Sequence, residues 1–187
     1  TGYTGDELDG NIHSGWDDMF LMKYNSSGTK QWTQQMGTSS DERGNGVTTD
    51  SSGNIYVIGV TGGIFSGGDV FLVKFNSSGT ELWSKQLGTS SDDLGIGVTT
   101  DSSDNIYLTG YTNGGLDGNT NSGDYDIFLV KYNSSGKKQW TKQLGTSSDE
   151  RGNGVTTDSS GNIYVTGYTR GDLDGNTNSG SNDIFLV

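Results

Sequence analysis

The stretch Asp158 to Thr169, DSSGNIYVTGYT, recurs as DSSGNIYVIGVT at Asp50 to Thr61 and as DSSDNIYLTGYT at Asp101 to Thr112, with a remnant TGYT at Thr1 to Thr4. Its Asn-Ile-Tyr triplet opens at Asn54, Asn105 and Asn162, spacings of 51 and 57 residues. A period near 50 marks one supersecondary unit used several times. The turn inside the stretch has a mechanism: Asp50 accepts backbone N–H bonds at its start, Ser51 and Ser52 take right-handed positions, and Gly53 takes the left-handed position of a bulge. It joins a short strand, Gly46 to Thr49, to a longer one, Asn54 to Thr61, whose alternating side chains face opposite ways. In the fourth copy Tyr164, Thr166 and Tyr168 make one of those faces half exposed.

Two further strands complete the unit. Val70 to Phe75 (VFLVKF), with equivalents Met19 to Tyr24 and Ile127 to Tyr132, is almost continuously apolar and predicts a strand covered on both faces. A second turn, Asn76-Ser77-Ser78-Gly79, leads into Thr80 to Leu87. This last strand carries Trp83, and its counterparts carry Trp32 and Trp140, one large ring per repeat, read as a packing anchor between neighbouring sheets rather than a ligand platform. The pattern predicts an all-β chain of four-stranded antiparallel blades, the repeating element of a β-propeller. About three and a half blades are expected, at residues 1–45, 46–96, 97–153 and 154–187, two whole blades flanked by incomplete ones. We expect a longer chain, or strands from another copy, to complete the ring.

Composition agrees. Apolar residues make up only 28% of the 187, but 32 glycines bring the total into the range of a Gly-rich β-protein. A net charge of −12 argues against nucleic acid and anionic membranes as partners, because phosphate recognition needs clustered Lys and Arg, and it suits extracellular settings and divalent cations. There is no Cys, hence no disulfide or thiolate metal site, and no apolar run long enough for membrane insertion.

The segments DSSGNIYVTGYT, DIFLVKYNSSGKKQWTKQLGTSSDERGNGV and LDGNTNSG resemble the SBBP β-propeller repeat, and the resemblance covers nearly the whole chain. It implies a propeller, with a larger, seven-bladed ring, and a protein of the microbial cell surface or extracellular medium without a common enzymatic activity.

The copies are close: Lys23 to Thr61 and Lys131 to Thr169 agree at 34 of 39 positions. A catalytic centre needs different groups in different roles, whereas near-copies present one surface several times, which favours scaffold, adhesion or multivalent binding. Variation concentrates between the second and third strands, on the face shared with the loops joining successive blades; the opposite face carries only tight turns. This loop-rich face is the expected binding face for a protein or glycan.

Three loops there alternate Asx residues: Asp9 and Asn11 in copy one, Asp117, Asn119 and Asn121 in copy three, and Asp172, Asp174, Asn176 and Asn178 in copy four. Such oxygen donors suit Ca²⁺, although the EF-hand pattern is incomplete: Ser179 replaces its Gly and the bidentate Glu is missing. The competing reading is that these side chains cap their own turns. Copy two, shorter at Gly62 to Asp69, lacks the motif and should lack the ion. Trp16 and Tyr125 are candidates for stacking on sugars, or for stapling neighbouring blades. His13 is read as a loop residue, Asp17 and Asp18 as strand-entry neighbours on opposite faces. Asp41–Arg43 and Asp149–Arg151 are expected exposed ion pairs of little consequence. The Asn-Ser-Ser triplets at Asn25, Asn76 and Asn133 match the glycosylation acceptor but sit where the hairpin already requires them. The leading expectation is a non-catalytic extracellular scaffold or adhesion module with Ca²⁺ rigidifying its loops, the alternative a lectin-like propeller, and the third an enzyme with its site outside this chain.

Overall fold

The computed structural model describes residues 1–62 and 67–187. These form fourteen strands in four antiparallel sheets, each meandering in sequence order. Sheet one holds β1 (Gly2–Thr4), β2 (Asp18–Tyr24) and β3 (Lys30–Met36); sheet two holds β4 (Glu42–Thr49), β5 (Ile55–Thr61), β6 (Asp69–Phe75) and β7 (Glu81–Leu87). Sheet three holds β8 (Asp93–Thr100), β9 (Ile106–Thr112), β10 (Asp126–Tyr132) and β11 (Lys138–Leu144), and sheet four β12 (Glu150–Thr157), β13 (Ile163–Thr169) and β14 (Asp183–Leu186). The first strands β4, β8 and β12 pack successively against one another, as the inner strands of propeller blades do.

The turns form for the reason their sequence suggests. Asp50 Oδ1 accepts the N–H groups of Ser52 (3.0 Å) and Asn54 (2.8 Å), and Gly53 closes the turn at φ 77°. Tyr56 Oη donates to the other carboxylate oxygen at 3.0 Å. Asp101 and Asp158 repeat the arrangement. In copy three Asp104 takes the glycine's left-handed position, and its carboxylate accepts the N–H and hydroxyl of Ser51, both at 2.8 Å, tying the turn to the preceding blade.

The first strand of each blade begins earlier than Gly46 suggests. It starts at Glu42, because a register shift between Gly44 and Gly46 lets Asn45 bulge out while the pairing with β5 continues. Asn45 Nδ2 then donates to the Gly95 carbonyl of the next blade at 2.8 Å.

The core lies between sheets. Met19 and Leu21 meet Ile55, Val57, Phe71, Val73 and Phe75; Ile58, Val70 and Leu72 meet Ile106, Leu108, Phe128 and Val130. Strand β6 is buried on both faces, as its apolar run predicts. Trp32 and Trp83 are anchors of this packing, half-buried against the two clusters and against the Asn-Ser-Ser-Gly turn of the following blade at Gly79 and Gly136. Lys74 reaches across the same seam, its Nζ donating to Ser134 O of the next blade at 3.5 Å, and within its own blade Nζ lies 3.4 Å from Asp50 and 4.9 Å from the Tyr56 ring centre.

Candidate binding face

The LDGN loops are built as turns. Asp9 and Gly10 both have positive φ (55° and 78°), and Asn11 N–H donates to Leu8 O at 3.1 Å. Two consecutive left-handed residues closed by that bond define a type I′ turn, for which Asp-Gly is a favoured pair. Asp117-Gly118 and Asp174-Gly175 repeat it. The leucine ahead of the turn is an anchor: Leu116 is fully buried and Leu173 nearly so.

In blades one and three the loop is fastened to the outer strand of its own blade. Asp9 pairs with Lys30 Nζ at 2.6 Å and accepts the Thr33 hydroxyl. Asp117 pairs likewise with Lys138 and Thr141. Bonds from Lys30 and Thr33 hold the Asp9 carboxyl below the usual range; at Asp117 burial works the other way, but Lys138 and Thr141 prevail and the net shift is again downward. Gln35 and Gln143 complete the clip, each accepting a leucine N–H (Leu8 at 2.8 Å, Leu116 at 3.0 Å) and donating to the strand-entry aspartate (Asp18 at 3.0 Å, Asp126 at 2.9 Å).

The asparagines direct their amide nitrogens inward. Asn11, Asn119 and Asn176 donate to the leucine carbonyl of their own turn (2.8, 2.7 and 3.1 Å), Asn121 to Gly123 O, and Asn178 to Thr169 O. Asp172 accepts Asn178 N–H at 2.8 Å. These are the turn-capping bonds that compete with the calcium reading, and a cation at Asp9 or Asp117 would have to displace an ammonium group. Among the described residues, no three or more His, Cys, Asp or Glu side chains converge as a metal site.

The two aromatic candidates have different surroundings. Trp16 is 81% exposed and Ile12 80%, and both occur only in copy one, where copies three and four have polar residues. Tyr125 is a staple: it meets Tyr111 edge-on at 5.2 Å, its hydroxyl lies 3.4 Å from Asp92, and the Arg151 guanidinium sits 4.8 Å from its ring centre. His13 lies in the loop beside Trp16, with Nε2 3.2 Å from its carbonyl.

Sequence reading missed the arginines. Arg43 does not pair with Asp41; its guanidinium bonds Asp17 of the preceding blade at 2.6 Å and covers Tyr3 at 4.6 Å. Arg151 does bond Asp149, at 3.3 Å, but that aspartate is 6% exposed rather than solvated, and Arg151 also covers Tyr111 at 4.6 Å. The signal lay in the copies: arginine follows a blade with Tyr3 or Tyr111, whereas Leu94 follows a blade with Val60. Asp17 and Asp18 diverge as expected, Asp18 being buried under Ser14 N–H and Gln35. Of the shorter connection Gly62 to Asp69 in copy two, residues 63–66 lie outside the described residues.

Comparison with known proteins converges on the same architecture. The pattern of the SBBP family, described as a beta-propeller repeat, matches residues 31–66, 82–117 and 139–174. An uncharacterized WD repeat-containing protein of Acanthamoeba polyphaga mimivirus is 29% identical over 83% of this chain and 14% of its own length. The regulatory protein FlaEY of Caulobacter vibrioides is 26% identical over 63% of this chain and 14% of its own length. The chain thus spans about one seventh of either relative, 14% in each case.

Proposed function

We propose that this chain, which belongs to the SBBP family of β-propeller repeats, is a non-catalytic scaffold and binding module that presents its loop-rich face to a protein partner at the cell surface or outside the cell. One observation carries the reading: the polar groups of the loops in blades one and three are engaged in holding the loops themselves, while the residues that depart from the repeat, Ile12 and Trp16, stand exposed on that face. Groups so engaged are poorly placed to act as acids or bases, whereas exposed apolar side chains on a rigid frame suit recognition. The acidic composition supports an extracellular setting. The names of the two relatives, a WD repeat-containing protein and a regulatory protein, sit comfortably with a binding role.

The exposure of Trp16 also favours a glycan as the ligand, since an indole face suits the apolar side of a sugar ring. Arrays of glycans and of surface proteins, probed with the chain, separate the two readings. Whichever ligand binds, Trp16→Ala and Ile12→Ser together should weaken it at least tenfold, a loss of about 1.4 kcal/mol. Ser159→Ala, on the tight-turn face, should leave it unchanged. Binding that survives the first pair and is lost with Ser159→Ala would place recognition on the wrong face.

Calcium makes a separate claim. An ion at Asp9 or Asp117 must release Lys30 or Lys138, which opposes it; an ion that nonetheless binds the folded chain raises the melting temperature by mass action, and a chelator then lowers it. Melting curves that coincide with and without Ca²⁺ would rule out the ion as a stabiliser of these loops.

A further inference from the structure

In the first three blades the segment entering the third strand runs alongside the loop that leads to the next blade. Glu42 N–H donates to Asp17 O at 2.7 Å, Asp93 N–H to Gly68 O at 2.8 Å and Glu150 N–H to Tyr125 O at 2.8 Å. One step earlier Gly15 lies against the Thr38 and Ser40 carbonyls, and Gly123 against those of Thr146 and Ser148, so the two segments run in the same direction. Trp16 is therefore set beside Asp41, Gly67 beside Asp92 and Asp124 beside Asp149. In blade two this adjacency is itself a hydrogen bond, from Gly67 N–H to Asp92 Oδ1 at 3.0 Å.

The three aspartates differ in what they hold. Asp92 accepts Gly67 N–H and lies 3.4 Å from the Tyr125 hydroxyl, and Asp149 bonds Arg151 at 3.3 Å and Arg170 at 3.2 Å. The Asp41 carboxylate has no hydrogen-bond or ion-pair partner among the described residues, because Arg43 turns to Asp17, which stands where blade three has Tyr125. Beside it the Trp16 indole is exposed, and that exposure belongs to its place in the fold: Asp124, at the same place in a blade flanked on both sides, is exposed too. The face also shows what such a pair accepts. Arg43 bonds Asp17 at 2.6 Å while covering Tyr3 at 4.6 Å, and Arg151 bonds Asp149 while covering Tyr111 at 4.6 Å and Tyr125 at 4.8 Å. Twice, then, a guanidinium is held between a carboxylate and an aromatic face; Trp16 and Asp41 are the same two partners without the guanidinium.

We propose that Trp16 and Asp41 form a receptor for an arginine side chain of the protein partner. The proposal rests on the reading that the loop-rich face binds a protein through Trp16, and it names the chemistry that this part of the face selects. Tryptophan is the aromatic side chain with the strongest attraction for a cation over its face, and a planar guanidinium can stack on the indole while its N–H edge meets a carboxylate. A net charge of −12 adds long-range attraction for a basic partner. The apolar contact gives affinity, and the cation–π contact and ion pair give the choice of arginine over a neutral side chain.

Two dye-labelled peptides test it by anisotropy: Gly-Leu-Arg-Leu-Gly, and the same peptide with citrulline, which keeps the shape of arginine and lacks its charge. The arginine peptide should bind saturably, and the citrulline peptide about tenfold more weakly, having lost both the cation–π contact and the ion pair. Asp41→Asn should weaken the arginine peptide severalfold and leave the citrulline peptide unchanged, and Trp16→Ala should abolish binding of both. Neither side chain holds the fold together, so the melting temperatures of the two variants should match that of the parent. Equal affinity for the two peptides, lost with Trp16→Ala, would overturn the arginine receptor and leave the apolar binding face standing. Arginine-peptide binding that is absent, or unchanged by Asp41→Asn, would overturn it as well. Binding indifferent to Trp16→Ala would overturn both this receptor and the reading it rests on.

Discussion

Glu150→Ala is expected to destabilise the protein by about 3–5 kcal/mol, seen as a large shift of the urea midpoint with an unchanged slope. Glu150 is 0% exposed. Its carboxylate accepts the Thr146 N–H at 2.5 Å, the Thr146 hydroxyl at 2.7 Å and the Thr169 hydroxyl at 2.9 Å. It therefore ties the loop arriving from one blade to the first and second strands of the next. Alanine would leave a buried N–H without an acceptor, which costs roughly 1–3 kcal/mol, and a cavity beside it. The Thr169 hydroxyl can still donate to Gly171 O at 2.9 Å, which limits the loss on that side. Glu42 makes the same three bonds, to Thr38 and Thr61.

Asp93 at the equivalent position shows what a shorter acid does. It retains Thr89 N–H and hydroxyl, at 2.5 and 3.0 Å, but its Oδ1 is buried without a hydrogen-bond partner. Burial pushes its carboxyl up, and Asp69 nearby adds to the shift against the downward pull of its hydrogen bonds. Glu150→Asp should accordingly cost less than Glu150→Ala, about 1–2 kcal/mol. If alanine costs no more than aspartate, the carboxylate is not the tie between blades and the blade interface is held by its apolar contacts alone.

These carboxylates also show where a sequence stops being readable. The DSSG and NSSG turns were legible because each is closed by the side chain that announces it: Asp50 and Asn76 bond N–H groups two and four residues ahead. The apolar run at β6 was legible because burial on both faces leaves no polar alternation, and the tryptophan because one large ring recurs at the same place in each repeat. The start of β4 was not, since Gly44-Asn45-Gly46 has the composition of a loop and only the pairing with β5 shows it to be a bulge inside a strand. In the LDGNTNSG loops the sequence shows rows of oxygen donors and amides that suit either an ion or a capped turn, since spacing carries no information about where amides and lysines point. Asp-Gly was itself the type I′ signature, but its lysine lies 21 residues further on, and that partnership follows only from the strand register.

Comparing the copies would have recovered more than reading any one of them. Lysine is present at 30 and 138 where the loop has its aspartate, and glutamate at 81 where it does not; arginine is present at 43 and 151 behind a tyrosine, and leucine at 94 behind a valine. In a repeat array each unit contacts only its neighbours, so a substitution in one copy is answered within the same blade or the adjoining one. The 34 identities in 39 positions describe the blade, and the few departures describe its contacts.

Gly110→Ala should rank with the glutamate in cost, at about 3 kcal/mol, for a steric reason. Gly110 pairs with Phe128 on one side and Gly95 on the other, and its φ is not positive, so alanine could adopt the backbone angles. A Cβ there would run into the Leu94 carbonyl and the edge of the Phe128 ring. The carbonyl belongs to the strand that bulges between Gly95 and Gly97, and the ring is fully buried, so neither can withdraw without moving the sheet. The same Gly–Phe pairing recurs as Gly2 with Phe20, Gly59 with Phe71 and Gly167 with Phe185, a cross-strand aromatic covering a glycine in every blade. Gly118→Ala is the informative comparison. That glycine has φ 81° with nothing near the position of a Cβ, so its cost should be the conformational one alone, about 1 kcal/mol. Thermal or urea melts of the two variants side by side decide the matter: a Gly110→Ala protein no less stable than Gly118→Ala would mean that the blade can open its bulge to admit a methyl group, and that the recurring glycine is kept for some reason other than close approach.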